Sequence, residues 1–202
     1  ALPTSVGEVL IKRLGRFLHG YPRSIQKMVL QPAPRDAKVY SDSDHCGCLR
    51  TRKSTSCSVL MHGKHMVKFL STTQAPINLS SGESEWHAAV RSGSALVGFV
   101  NLLADFGRTL PAVLCLDASA TIGIASRRGV GKIRHLDVDT LWLQWLVTHR
   151  KVKLEKVDGK VNVADLGTKH LDGPTLRRLL EILGFYFAEG RSKLALRAAL
   201  GQ

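Results

Sequence analysis

The sequence predicts an α/β fold built around a mixed sheet. Three strand-like runs, at about residues 38–42, 57–61 and 66–70, lie close together in the chain, and the segment 62–64 between the last two predicts a hairpin turn. A helix from Ser81 follows, and we expect it to cover an antiparallel meander. A later succession of strand, helix and strand indicates a parallel portion of the sheet.

The helix from Ser81 carries two carboxylates near its start. Ser80 stands three residues before Glu83, which is the spacing of a capping box. Glu83 and Glu85 are two residues apart and point to different faces, so at most one of them faces the buried side. An alternative is that both acids merely stabilise the helix dipole. Apolar or small residues recur with a helical period at Ala89, Gly93, Leu96, Val100 and Leu103.

The second half of the chain contains a strand that we expect to be buried on both faces. Residues 113–116 form a continuous apolar run that ends at Asp117, and a helix follows. Residues 136–150 predict another helix, with Trp142 and Trp145 on its apolar side. We expect these tryptophans to pack in a core or an interface rather than to stack on bases.

One more strand and one more acid follow. Residues 152–157 alternate like a half-exposed strand, and the segment 162–169 predicts a short helix that carries Asp165 inward. Asp42 and Asp117 both end strands. Because active sites in parallel sheets lie at the carboxyl ends of strands, these two acids are candidate site residues.

Extensions flank this region on both sides. Residues 1–35 contain a basic amphipathic helix over 6–19. Residues 171–202 contain a helix over 176–183 and a basic tail over 186–202 that we expect to be helical. The sequence therefore predicts three parts, which are 1–35, 36–170 and 171–202. Since the chain does not begin with Met, we expect it to be a piece of something longer.

The chain is strongly basic throughout. Its formal net charge is +13, of which +5, +6 and +2 fall in the three parts in order. Excess positive charge in every part favours a polyanionic partner, most simply nucleic acid. An alternative is a basic protein docked in a larger assembly, and an RNA-rich assembly satisfies both interpretations.

Cysteine spacing and hydropathy exclude several classes of protein. The pair Cys46 and Cys48 lacks the gap of a zinc knuckle, no second close pair exists, and a disulfide framework is equally unsupported. Reduced thiols in an intracellular protein are therefore expected. No apolar run approaches the length of a membrane span, and the N-terminus lacks the layout of a signal peptide.

Four carboxylates stand out by their places at the ends of predicted elements: Asp42, Glu85, Asp117 and Asp165. Converging acids repel one another unless cations neutralise them. Hard oxygen ligands suit Mg²⁺ or Mn²⁺, and two such ions about 3.5–4 Å apart can activate water and stabilise the leaving oxygen in phosphodiester hydrolysis. The basic chain would attract the polyanionic substrate.

The order of these elements and acids resembles ribonuclease H. The amino-acid sequence itself is most similar to the ribonuclease H domain of copia-type LTR retrotransposon polyproteins, over roughly residues 38–170. Residues 12–20 also resemble the segment that links reverse transcriptase to ribonuclease H in those polyproteins. The matching segments are Tyr40-Ser41-Asp42-Ser43-Asp44, Arg52-Lys53-Ser54-Thr55-Ser56, Leu79-Ser80-Ser81-Gly82-Glu83-Ser84-Glu85-Trp86-His87-Ala88, Leu116-Asp117-Ala118-Ser119-Ala120, Arg134-His135-Leu136-Asp137-Val138 and Asn162-Val163-Ala164-Asp165-Leu166-Gly167-Thr168-Lys169.

The resemblance implies a ribonuclease H-like fold, with three antiparallel strands followed by two parallel ones in a five-stranded sheet flanked by helices. It also implies that the four acids, Asp42, Glu85, Asp117 and Asp165, are the catalytic and metal-binding residues for two Mg²⁺ or Mn²⁺ ions. Glu85 is preferred to Glu83 because Glu85-Trp86-His87-Ala88 fits the family's helix pattern. Asp44 is a candidate for supporting these ligands, and His135 for a structural or substrate-side role.

The implied activity is endonucleolytic cleavage of the RNA strand of an RNA–DNA hybrid, which leaves 3′-hydroxyl and 5′-phosphate ends. The implied partners are the hybrid and the reverse transcriptase domain of the same polyprotein, and the implied location is the cytoplasm or nucleus, with an organelle as a further option. Candidate phosphate contacts are Arg50, Arg52, Lys53, Arg127, Arg128, Lys132 and Lys169.

Some residues depart from the family pattern. The loop 158–164 lacks the histidine that many ribonucleases H carry before the last acid, which lowers the expected rate. His45, Cys46 and Cys57 stand where relatives usually have Trp, Ala and Gly. The alternative function is a domesticated, non-catalytic subunit that serves as a scaffold in a large, RNA-containing complex. Retention of all four acids argues against it, and a transposase or integrase core fits the wording poorly.

Overall fold

The computed structural model describes residues 4–131, 136 and 138–190. The chain divides into two compact units, one formed by Val29–Leu183 and the other by Ala1–Met28 together with the chain from Gly184. The larger unit contains the strands β2 to β6 and the helices α2 to α5. Their bounds are β2 Ala37–Ser43, β3 Thr55–His62, β4 His65–Thr73, α2 Ser81–Asp105, β5 Ala112–Leu116, α3 Ser119–Ser126, α4 Trp142–Thr148, β6 Val152–Lys156 and α5 Gly173–Ile182.

A five-stranded sheet forms the centre of the larger unit, with the strand order β4-β3-β2-β5-β6. Strands β2, β3 and β4 pair in antiparallel fashion, whereas β5 pairs in parallel with both β2 and β6. The mixed sheet and its order of antiparallel and parallel strands, expected from the sequence, are therefore confirmed. The hairpin turn between β3 and β4 is also present, and Gly63 adopts there the positive φ of 61° that favours glycine.

The register of the parallel pair brings two strand ends together. Ser41 of β2 lies opposite Leu116 of β5, so Asp42 and Asp117 are the next residues along two neighbouring strands. All five residues of β5 are buried, as expected for a central strand covered on both faces. The sheet thus places the carboxylates of Asp42 and Asp117 at the same edge.

Helix α2 crosses the sheet and is anchored by a variant of the capping box. The hydroxyl of Ser80 accepts a hydrogen bond from the Glu83 amide at 3.2 Å, and the Glu83 carboxylate reaches back to the Leu79 amide at 2.7 Å. Trp86 is fully buried, and its indole N–H donates to the Thr140 hydroxyl at 3.0 Å. Trp86 packs in the main core with Val39, Leu60, Ala89, Leu96, Leu114, Leu116, Leu143 and Val152.

The helix expected over 136–150 starts later than its pattern indicated. A 3₁₀ helix over Val138–Leu141 precedes α4, whose buried residues include Leu143 and Leu146. Trp142 and Trp145 are 37% and 51% exposed, so they do not lie in the core of the described chain, and their place in an interface stays a prediction. The change from 3₁₀ to α geometry alters the angle between successive side chains, which turns a different face toward the sheet.

Helix α5 starts three residues earlier than expected, at Gly173. The Asp172 side chain caps it by accepting a hydrogen bond from the Thr175 amide at 3.2 Å. Pro174 lies in the first turn, where its missing N–H needs no partner.

The smaller unit joins the two ends of the described chain. It contains α1 (Ser5–Gly20), β1 (Arg23–Gln26) and β7 (Phe185–Ala188), and β1 pairs with β7 in antiparallel fashion. Phe17, Tyr21 and Phe187 form a cluster of aromatic rings within it. The expectation of a helix from residue 186 is therefore wrong for 186–188, since these residues extend to pair with β1. Residues 191–202 lie outside the described part of the chain. No helix within that part is both long and apolar enough to span a membrane.

Candidate active site

Three carboxylates converge at one edge of the sheet. Asp42 lies at the end of β2, Glu85 in the second turn of α2 and Asp117 directly after β5. One oxygen of each carboxylate can be chosen such that all three lie within 4.8 Å of one another. Asp42 is only 1% exposed, and the other two are partly buried. The sequence predicted these three residues as site residues, and the fold brings them together.

Burial perturbs the pKa values of two of these groups. Removal from water raises the pKa of Asp42 to about 6, opposed by hydrogen bonding from Thr168 and by the charge of Lys169. Burial, together with the negative charges of Asp42 and Asp117, raises the pKa of Glu85 to about 8. A backbone hydrogen bond from Ser43 opposes the shift of Glu85 but does not offset it. The site therefore favours bound protons or a bound cation.

The fourth acid, Asp165, lies beside this group rather than within it. It belongs to a 3₁₀ helix, Val163–Gly167, and its carboxylate contacts the Lys169 ammonium at 2.7 Å. The same ammonium lies 3.2 Å from an Asp42 oxygen, and the Thr168 hydroxyl donates to the other Asp42 oxygen. Lys169, which was expected to contact substrate phosphate, thus bridges two of the acids in this structure.

The charge of Lys169 is fixed by its neighbours. Burial opposes protonation of the amine, but the hydrogen bond to Asp165 and the negative charges of Asp42 and Asp165 raise its pKa above the ordinary value. Burial raises the pKa of Asp165, and the hydrogen bond from Lys169 opposes that shift. Lys169 consequently remains a cation throughout the neutral range.

The 3₁₀ helix that carries Asp165 is held against the sheet by close packing. A Cβ at Gly167 would lie 2.5 Å from the Cys57 sulfur and 3.1 Å from the Phe69 ring, so any larger residue would have to displace the Cys57 side chain. The Ser71 hydroxyl donates to the Gly167 carbonyl at 2.7 Å, and the buried Asn162 amide donates to the Ser41 carbonyl at 3.2 Å. These contacts tie the last acid to the end of β2.

Sequence reasoning missed three residues that build this arrangement, which are Asn162, Gly167 and Thr168. All three stand in the segment 162–169 that was quoted for Asp165. The segment could have indicated them by its composition. An amide and a hydroxyl close to a buried acid can supply hydrogen bonds, and a glycine allows the backbone to approach a strand closely.

Asp44 does not join the carboxylate cluster. Its carboxylate accepts a hydrogen bond from the Thr55 backbone amide, and a Cβ at Gly47 would overlap it. It therefore fixes the loop between β2 and β3, in which Arg52 adopts a positive φ of 58°.

The other basic candidates lie apart from the four acids in the described contacts. Arg50 and Arg52 are exposed and Lys53 is partly buried, all within the loop between β2 and β3. Arg127 donates to the Val130 carbonyl at 2.7 Å and is thus folded onto its own loop. Arg128 is exposed. Lys132 and His135 lie outside the residues that the structure describes.

His45, one of the departures from the family pattern, has a defined partner. Its Nδ1 lies 3.0 Å from the hydroxyl of Ser84 on α2, and that hydroxyl also contacts the hydroxyl of Ser54 at 3.3 Å. The exposed His45 side chain and the buried hydroxyl of Ser54 therefore join the segment between β2 and β3 to the helix that carries Glu85.

The three carboxylates are suited to a divalent cation. They present oxygen ligands, they are buried or partly buried, and their oxygens lie within 4.8 Å of one another. Asp42, Glu85 and Asp117 are the residues that could hold such an ion, and Asp165 could share a second one with Asp42.

Comparisons with known proteins agree with this description. The chain is 24% identical over 151 residues to the retrovirus-related Pol polyprotein from transposon TNT 1-94 of Nicotiana tabacum. The match spans 74% of this chain but only 11% of that polyprotein. The resemblance to a retrotransposon polyprotein is therefore confirmed. No protein-family model matches the sequence.

Ribonuclease H domains are among the solved structures that are similar to this chain. LC11-RNase H1, isolated from compost by a metagenomic approach, is 15% identical, with a TM-score of 0.46, and the match covers 65% of this chain and 91% of that one. The N-terminal RNase H domain of rv2228c from Mycobacterium tuberculosis is 14% identical, with a TM-score of 0.43 and coverage of 72% and 96%. The strand order of this chain, with β5 parallel to both β2 and β6, is the one that the resemblance to ribonuclease H implied.

Proposed function

We propose that this chain hydrolyses the RNA strand of RNA–DNA hybrids with divalent cations held by its buried carboxylates. The observation that carries the proposal is the convergence of oxygens from Asp42, Glu85 and Asp117 within 4.8 Å, at the carboxyl ends of two parallel strands. The similarity to a retrotransposon polyprotein supports the choice of substrate. It also supports a reverse transcriptase domain of the same polyprotein as a partner.

The proposed metal ligands are Asp42, Glu85 and Asp117, with Asp165 as a further ligand on the side of Lys169. Bound Mg²⁺ or Mn²⁺ would supply charge stabilisation at the phosphate and an ionised water for attack, as in other two-metal hydrolases. The donor set consists of carboxylate oxygens alone, which favours these hard ions over zinc.

The protein groups around the ligands prepare the site for a cation. Since the pKa of Glu85 is about 8 without metal, its carboxyl group holds a proton at neutral pH. A cation can use that oxygen only after the proton leaves, so metal affinity should increase with pH. The Thr168 hydroxyl donates a hydrogen bond to one Asp42 oxygen and so fixes the orientation of the Asp42 carboxylate.

Substrate attraction follows from charge. The net charge of +13 favours association with a polyanion and makes it dependent on salt. Arg50 and Arg52 are exposed in the loop that follows β2, the strand at whose end Asp42 lies. We propose them as phosphate contacts, together with Lys53, Arg128 and Lys132. Discrimination between the two strands would require recognition of the RNA 2′-hydroxyl.

A panel of labelled duplexes tests the proposed substrate class. RNA–DNA hybrid, double-stranded RNA, double-stranded DNA and single-stranded RNA of one sequence are incubated with the chain in Mg²⁺, in Mn²⁺ and in EDTA. We expect cleavage of the RNA strand of the hybrid alone, with 3′-hydroxyl and 5′-phosphate ends, and none in EDTA or with Asp42→Asn. Binding of the hybrid by a folded chain without any cleavage would overturn the proposal in favour of a scaffold role.

A further inference from the structure

Lys169 lies between two of the four carboxylates. Its ammonium is 2.7 Å from an Asp165 oxygen and 3.2 Å from an Asp42 oxygen, so both acids are paired with the same charge. The side chains of Asp42 and Asp165 are only 1% and 13% exposed, so water has little access to these two carboxylates. The lysine is therefore placed as a cation within the acidic site.

The two sides of Asp42 differ in their charge balance. Toward Glu85 and Asp117, one carboxylate oxygen from each of the three acids lies within 4.8 Å of the others, whereas toward Asp165 the Lys169 ammonium contacts both carboxylates. An ion that used Asp42 and Asp165 together would have to lie near the ammonium, and like charges a few ångströms apart repel strongly in a partly buried site. A divalent ion can therefore bind among Asp42, Glu85 and Asp117, whereas the Lys169 ammonium disfavours an ion between Asp42 and Asp165.

We infer that Lys169 is a built-in cation that closes the Asp42–Asp165 side of the site, so that the chain without nucleic acid binds a single divalent ion, and a second ion binds only when Lys169 moves away. This inference rests on the proposed function. It concerns the chain's own lysine and predicts how many ions bind before any substrate is present.

The side chain of Lys169 can move away from this position. Its side chain is 42% exposed, in contrast to the acids that it contacts, and its ammonium is carried on a flexible chain of four carbons. A phosphate group of a bound nucleic acid offers an alternative anion for the ammonium, so substrate binding would exchange one ion pair for another. The lysine would then contact phosphate, as the sequence suggested, only in the complex.

The number of bound ions is the readout. Free Mn²⁺ is measured by electron paramagnetic resonance while the nucleic-acid-free chain is titrated at pH 7.5, and the same titration is followed by calorimetry. We expect one ion for the wild type. Lys169→Met removes the charge with little change in length, and we expect it to bind a second Mn²⁺ at least tenfold more tightly than the wild type does. Lys169→Arg keeps the charge and should bind one ion.

The matched control is Lys153→Met, which makes the same change of net charge on the exposed face of β6, three residues before the end of its pairing with β5. It should bind one ion with the wild-type affinity. If Lys169→Met does not give a folded chain by circular dichroism, Lys169→Gln supplies the same loss of charge with a polar end. Its second-ion affinity is judged by the same tenfold criterion.

Two results would overturn the inference. One is a wild-type chain that binds two Mn²⁺ ions of similar affinity without substrate. The other is an uncharged variant with the same count and affinity as the wild type, which would leave Lys169 a structural ion pair and leave the nuclease proposal intact. Failure of the proposed function looks different, because it appears as absent hybrid cleavage whatever the ion count.

Discussion

Replacing Glu85 with glutamine should stabilise the metal-free chain and flatten the pH dependence of its stability. Burial and the neighbouring carboxylates raise the pKa of Glu85 from 4.5 to about 8 in the folded chain. The unfolded chain has the ordinary value. Folding therefore takes up a proton at this site across the range between the two values, and a glutamine takes up none.

The sign and size follow from proton linkage. A raised carboxyl pKa gives stability that is present below about pH 4.5 and lost as pH rises through about 8. Between pH 5 and pH 7 the folded chain holds about 0.9 more proton than the unfolded chain, so the free energy of unfolding falls by about 1.2 kcal/mol per pH unit. The wild type should lose about 2.5 kcal/mol relative to Glu85→Gln over these two units.

Urea unfolding in EDTA at pH 5, 6 and 7 measures this difference. The control is Glu181→Gln, an exposed acid of α5 in the same unit, which should follow the wild type at each pH. Addition of Mg²⁺ should remove most of the slope from the wild type, since the cation replaces the proton. Equal pH slopes for the wild type and Glu85→Gln in EDTA would refute the reasoning that Glu85 is buried among uncompensated charges.

Three further substitutions test the packing around the site by urea unfolding. Gly167→Ala should cost about 1–3 kcal/mol, because the new Cβ would meet the Cys57 sulfur, and Cys57→Ala should recover at least half of the loss; an unchanged cost in the double variant would contradict the contact. Trp86→Phe should cost about 2 kcal/mol through a void and the lost hydrogen bond to Thr140, and a neutral result would argue against their burial. Asp44→Ala should cost about 1–2 kcal/mol, whereas Asp44→Asn keeps the acceptor and most of the stability; equal losses would contradict this.

The sheet could be predicted from the sequence because each strand carries a local signal. The hydrophobic runs near Val59, Phe69 and Leu114 have the length and flanking turns of strands, and the order of antiparallel and parallel pairing follows from the connections between them. Asp42 and Asp117 could be predicted for a related reason, because an acid that ends a strand stands where strand ends meet. Glu85 could be chosen over Glu83 only by the resemblance, since the capping signal at Ser80 involves Glu83.

The parts that could not be predicted depend on distant or geometric terms. Strands β1 and β7 contain four residues each, and their pairing joins the two ends of the described chain, for which no local pattern exists. The exposure of Trp142 and Trp145 depends on where 3₁₀ geometry changes to α geometry, which hydrophobic period alone does not determine. The position of Lys169 between Asp42 and Asp165 depends on a tertiary contact across 127 residues of sequence.

The most direct test of the account is single-turnover cleavage of a 5′-labelled RNA–DNA hybrid by Asp117→Asn beside Asp158→Asn. The two substitutions make the same change of charge, but only Asp117 lies in the carboxylate cluster, whereas Asp158 is exposed and caps a 3₁₀ turn through a hydrogen bond that asparagine can also accept. We predict a loss of at least a hundredfold in the Mg²⁺-dependent rate for Asp117→Asn and a change of less than threefold for Asp158→Asn. Equal rates for the two variants, or a wild-type rate that persists in EDTA, would contradict catalysis at this cluster.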